Sequence, residues 1–117
     1  MNTLTLSVYS NNKLDIKYEK IPYQEKQTFI YFEIDKTKYF LSKDINSFKY
    51  QTQEEKVNMD FKNKKVTITL IPNNYTLNIK INKFEYEKDK NTYKITYVLD
   101  SEPDVTRKLL LILNKGE

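Results

Sequence analysis

Three groups of side chains in this sequence have the types and spacing to do chemistry. The first is basic: Lys62, Lys64 and Lys65 crowd one polar stretch, Lys80 and Lys83 follow, and Tyr31 with Phe29 adds aromatic rings. Ammonium groups interleaved with rings suit RNA or another polyanion, with phosphates on the lysines and bases stacked on the rings. The second is Glu85 and Glu87, two residues apart and therefore on one face of an extended strand, the pairing a general acid and base would need. The third is Asp100, Glu102 and Asp104, whose oxygens could gather a hard cation.

Neither acidic group reads as a site. Glu85 and Glu87 are expected on a solvated face, paired across strands with lysines. The acidic stretch lacks the turn glycine of a calcium loop and is expected to be a solvated connection, so no metal and no cofactor are expected. Catalysis is excluded more broadly by what is missing. The chain has no His and no Cys, which removes the commonest general base and the thiol nucleophile. Ser7, Ser10, Ser42, Ser47 and Ser101 have no imidazole partner, and one Gly in the whole chain cannot build a P-loop or a G-x-G-x-x-G turn. The expectation is a non-catalytic binding protein.

The charge balance favours anionic partners, with a net charge of +4. The excess is uneven. Residues 1–58 carry nine lysines against eight acids, and residues 59–117 carry eleven basic residues against eight. Abundant Lys, Asn, Ile and Tyr beside no Ala suggests an AT-rich coding genome, which supplies lysine without selection for a partner. Arg107 is the only arginine, which is thin for phosphate forks. Without Cys the chain needs no oxidising compartment, and Met1–Ser10 alternates instead of forming an apolar leader. A cytoplasmic location and no membrane partner are expected.

The elements that must position these groups follow from period. Apolar and polar residues alternate almost from end to end of 117 residues, as expected for a single domain of strands with one buried face. Leu4, Leu6 and Val8 begin the first strand, Asn11-Asn12 turns it, and Leu14, Ile16 and Tyr18 return until Pro22 ends the hairpin. Gln27–Asp35 and Tyr39–Ser42 follow, joined by Asp35–Lys38, and Ile45–Tyr50 is the weakest strand pattern. Val57, Met59 and Phe61 alternate up to Lys62-Asn63-Lys64, and Val66, Ile68 and Leu70 alternate beyond it. Tyr75, Leu77, Ile79 and Ile81 share one parity, whereas Phe84 and Tyr86 take the other, so a β-bulge near Asn82-Lys83 is expected. Tyr93, Ile95, Tyr97 and Leu99 run back, and Val105–Leu113 closes the fold. Its run Leu109–Leu113 is apolar on both faces and is expected to be covered twice or to lie centrally, or to offer an edge to a protein partner.

About nine short strands with turn chemistry between them predict a single antiparallel barrel or strongly curved sandwich. With one Gly available, the twelve Asn residues are expected at positive-φ turn positions. The Met-x-Phe strand at 59–61, the basic turn after it and the Ile-x-Tyr-x-Leu strand at 95–99 before a final strand resemble an uncharacterised family of small calycin-like barrels from low-GC Gram-positive bacteria. The resemblance covers the C-terminal half. It implies a calycin-like fold without a defined activity. Two roles stand beside RNA binding: a small apolar ligand among inward Tyr18, Tyr75, Tyr93 and Tyr97, and association with a protein.

Overall fold

The computed structural model describes residues 1–116 and consists of ten antiparallel strands. They are β1 (Thr3–Ser10), β2 (Lys13–Glu25), β3 (Phe29–Ile34), β4 (Thr37–Ser42), β5 (Ser47–Gln51), β6 (Glu55–Asp60), β7 (Lys65–Leu70), β8 (Tyr75–Lys88), β9 (Thr92–Leu99) and β10 (Arg107–Asn114). Each pairs with its sequence neighbours, and β1 also pairs with β10, so the meander closes into a barrel. The tenth strand is β5, the segment whose alternation was weakest. Among the described residues there is no helix, and hence none long and apolar enough to cross a membrane.

The two longest strands, β2 and β8, turn corners. Residues 75–80 of β8 pair with β7 and residues 81–88 pair with β9, with a register shift between Ile81 and Lys83. This is the expected bulge. It turns Phe84 inward, where its ring stacks on Phe61 with centroids 4.6 Å apart. The second corner corrects the reading of Pro22 as a strand end. β2 runs on to Glu25, pairing first with β1 and then with β3, and opposite Leu4–Leu6 it carries a bulge in which Lys20 adopts φ 57°. Pro22 stays in register with Thr3 of β1 and is tolerated because pairing with β3 begins only at Tyr23, so its missing N–H costs no bond on that side. The chain is instead tied by the Tyr23 N–H donating to the Asn2 carbonyl at 3.2 Å.

Alternation fills the interior. Leu4, Ile30, Phe32, Leu41 and Ile81 are buried, and Phe32 stacks on Tyr39 with centroids 4.8 Å apart. Between Leu6, Leu41, Phe48, Tyr93 and Leu111 only about 10 Å³ is left, so the middle is close-packed. β10 lies between β1 and β9 and is therefore no edge. Only one of its faces is covered: Leu109, Leu111 and Leu113 are buried, whereas Ile112 is exposed. The unpaired edges belong to the first half of β2 and to both halves of β8, beyond the reach of β3, β9 and β7 respectively.

Turns with positive φ do the work glycine usually does. Asn11 and Asn12 (φ 51° and 66°) and Asn74 (51°) meet the expectation. Lys20, Asp35, Lys36, Ile45 and Lys64 also occupy this region, and none of them is Asn. Ile45, a β-branched residue, is held there by burial and by its N–H donating to the Ser42 carbonyl at 3.0 Å. Asp35-Lys36 is a two-residue hairpin turn between Ile34 and Thr37, with φ 49° and 68°. Because Lys36 is exposed and has a Cβ in the left-handed region, Lys36→Gly is expected to raise stability by about 1 kcal/mol. A melting temperature about 4 °C higher would record it, and an unchanged or lower one would count against strain at this turn.

Candidate nucleic-acid interface

The outer face of β3–β7 is assembled by register. Tyr31 pairs with Phe40, Phe40 with Lys49, Lys49 with Asn58 and Asn58 with Thr67, giving one row across five strands. At one end the Tyr31 and Phe29 rings lie 5.0 and 5.9 Å from that of Phe40, all three half-buried on the outside of the barrel. From Phe40 onward the surface dips into a shallow groove of about 510 Å³ whose lining includes Lys49, Lys56, Asn58, Lys65 and Thr67 and one carboxylate, Asp60.

Lysines dominate this face. Lys38, Lys49, Lys56, Lys65 and Lys80 point outward against two carboxylates, Glu33 and Asp60. Burial pushes the Asp60 carboxyl up, but hydrogen bonds from the Asn63 side chain and backbone, with Lys65 nearby, outweigh it and hold the group below its usual range. Those bonds, at 2.8 and 3.0 Å, tie Asp60 to the β6–β7 turn. Among the described residues none of the five lysines lies within ion-pair distance of a carboxylate, whereas elsewhere on the barrel Lys17 pairs with Glu19 at 3.2 Å on β2 and Lys94 of β9 with Glu87 of β8 at 4.0 Å. Lys65 and Lys80 face each other directly across β7 and β8, a like-charge pair that costs stability unless an anion lies between them. In the groove the Asn58 Oδ1 is buried with no hydrogen-bond partner among the described residues.

The residues singled out from sequence are only partly brought together. Lys65 and Lys80 are adjacent on the outer face. Lys62 and Lys64 stand on the turn below them, where the Lys64 carbonyl accepts the Ile81 N–H at 2.8 Å. Lys83 follows the bulge, on the half of β8 that pairs with β9. Tyr31 shares the outer face but lies four strands from Lys65, about 19 Å at the usual strand spacing. Sequence reasoning missed what connects them: Lys38, Phe40, Lys49, Lys56 and Asn58. Their signal was outward parity on β4–β6, and it was hidden for Lys49 because β5 itself was in doubt.

Two of the acidic residues, Glu87 and Glu102, are paired with cations. Glu87 takes part in the pair with Lys94. Glu102, on the loop between β9 and β10, accepts hydrogen bonds from Arg107 Nη2 at 2.9 and 2.8 Å on its two oxygens. Of the inward tyrosines expected to line a ligand site, Tyr93 and Tyr97 are buried, Tyr18 is half-buried and Tyr75 is exposed at the β7–β8 tip. Compared with known protein families, curated proteins and solved structures, the chain matches none.

Proposed function

We propose that the chain is a non-catalytic intracellular binding protein of calycin-like build, and that it binds single-stranded RNA along the outer face of β3–β7. The observation that carries this reading is the continuous row from the Tyr31 and Phe40 rings through Lys49 to Asn58 and Thr67, flanked by five lysines against two carboxylates, Glu33 and Asp60. Rings stack on bases whose faces are free, which a single strand offers and a duplex does not. Lys49, Lys56, Lys65 and Lys80 neutralise phosphates.

Fluorescence anisotropy with labelled oligouridylate and oligoadenylate tests the reading. With four or five phosphates neutralised, log K is expected to fall with log salt at a slope of about −3, so that binding weakens about sixtyfold between roughly 50 and 200 mM salt. A duplex of equal length is expected to bind at least about tenfold more weakly, because it presents no base faces to the rings. Affinity independent of salt, or a preference for the duplex, contradicts the reading.

A further inference from the structure

The chain's only arginine does not join the lysines outside. Arg107 opens β10 on the parity of Leu109, Leu111 and Leu113 and therefore points into the barrel, at the end where the β9–β10 loop crosses the mouth. There the barrel leaves a cavity of about 170 Å³, walled by Val57, Met59, Val66, Ile68 and Ile79 and rimmed by Arg107 and Glu102. Tyr50 and Tyr97 also line it. Burial pushes the Tyr97 phenol up to about 12, so it remains a hydrogen-bond donor, and among the described residues neither tyrosine hydroxyl has a protein partner.

The Arg107–Glu102 contact shows what this mouth holds. A single nitrogen, Nη2, reaches both carboxylate oxygens, and among the described residues Nε and Nη1 have no acceptor. The Glu102 side chain is 42% exposed and hangs from a loop, so water readily replaces the pair. Glu102 thus stands where an incoming carboxylate would bind, with apolar walls beneath it. The cavity is close in size to a 150 Å³ apolar cavity that takes benzene, which limits the apolar part of a guest to about one ring or a short branched chain.

We propose that the barrel mouth is a binding site for a small amphiphilic carboxylate, an aryl- or branched-alkyl acid whose apolar part fills the cavity while its carboxylate displaces Glu102 from Arg107. The site is inside the wall whose outer face carries the lysine groove, and it does not depend on RNA binding.

The test is a titration of the protein with 3-phenylpropanoate and, separately, with 3-phenylpropanamide, followed by amide chemical shifts. The acid is expected to saturate with a Kd below about 1 mM and to shift Met59, Ile68, Tyr97 and Arg107, and the neutral amide to bind at least about tenfold more weakly. Glu102→Gln removes the internal competitor and is expected to tighten the acid several-fold, whereas Arg107→Gln is expected to weaken it at least about tenfold. Ile68→Phe fills the cavity and is expected to abolish binding. The comparison of acid with amide uses the unaltered protein, so it decides the matter even if a variant fails to fold. Equal affinity for acid and amide, no saturation by either, or a Glu102→Gln variant that binds no tighter would each overturn the proposal, leaving Arg107–Glu102 as an ion pair that only fastens the loop.

Discussion

Lys49→Glu combined with Lys65→Glu is expected to weaken binding of single-stranded RNA at least about a hundredfold, while leaving the melting temperature within a few degrees of the unaltered protein. Both side chains are exposed and make no ion pair among the described residues, and Lys65→Glu exchanges a like-charge apposition to Lys80 for one to Asp60 on the other side, so the net effect on folding is small. For binding, each change removes one phosphate contact and adds one repulsion inside the groove. The salt slope is therefore expected to flatten by roughly 1.4, two contacts at about 0.7 each. The matched control is Lys13→Glu with Lys90→Glu, the same change in net charge at exposed positions away from the β3–β7 face. If net charge alone attracted RNA, both pairs would weaken it alike, and the proposed face would lose its claim.

The fate of the two corners shows how much of this molecule was written in its alternation. Ile81 to Phe84 changes parity, and that change located a real bulge. Tyr18 to Ile21 changes parity in the same way, and it too marks a bulge, but Pro22 directly afterwards reads as a terminator. The missing information was tertiary. A corner strand exchanges one partner for another, and at the exchange a residue without an N–H costs no ladder bond. The turns at Asp35–Lys38 and Lys62–Lys64 were legible as turns, but positive φ was legible only where Asn occupied it. Lys36 and Ile45 adopt the same backbone because strand pairing or burial imposes it, against their own preference. The candidate site was legible as residue types but not as a place. Parity assigns Tyr31, Phe40 and Lys49 to an outer face, whereas their alignment in one row depends on registers set by turn lengths, and no residue type encodes those. Arg107 escaped for the opposite reason: as a lone cation it was weighed for phosphate binding, although its parity with Leu109 and Leu111 already pointed it inward.

Two phenylalanines on adjacent strands separate folding from binding. Phe32 lies on β3 facing inward, 1% exposed, with its ring stacked on Tyr39 at 4.8 Å. Phe40 lies on β4 facing outward, half-buried beside Tyr31 at 5.0 Å. Phe32→Ala deletes a ring from an interior whose central void is about 10 Å³, and strands pinned in a closed ladder cannot collapse into the space. The expected loss is about 3 to 5 kcal/mol, a large share of the roughly 5 to 15 kcal/mol that stabilises a domain, with a melting temperature lower by about 12 to 20 °C. Phe40→Ala exposes its former neighbours to water without leaving a cavity, so about 1 kcal/mol is expected, while RNA affinity falls by the 1 to 3 kcal/mol of a lost stacking platform. Urea denaturation and anisotropy on the same two variants give a crossed result: Phe32 governs the midpoint and Phe40 governs the Kd. A Phe32→Ala variant as stable as Phe40→Ala would mean that the inner rings are loosely held, and that the wall behind the lysine groove is too compliant to keep its row of side chains in register.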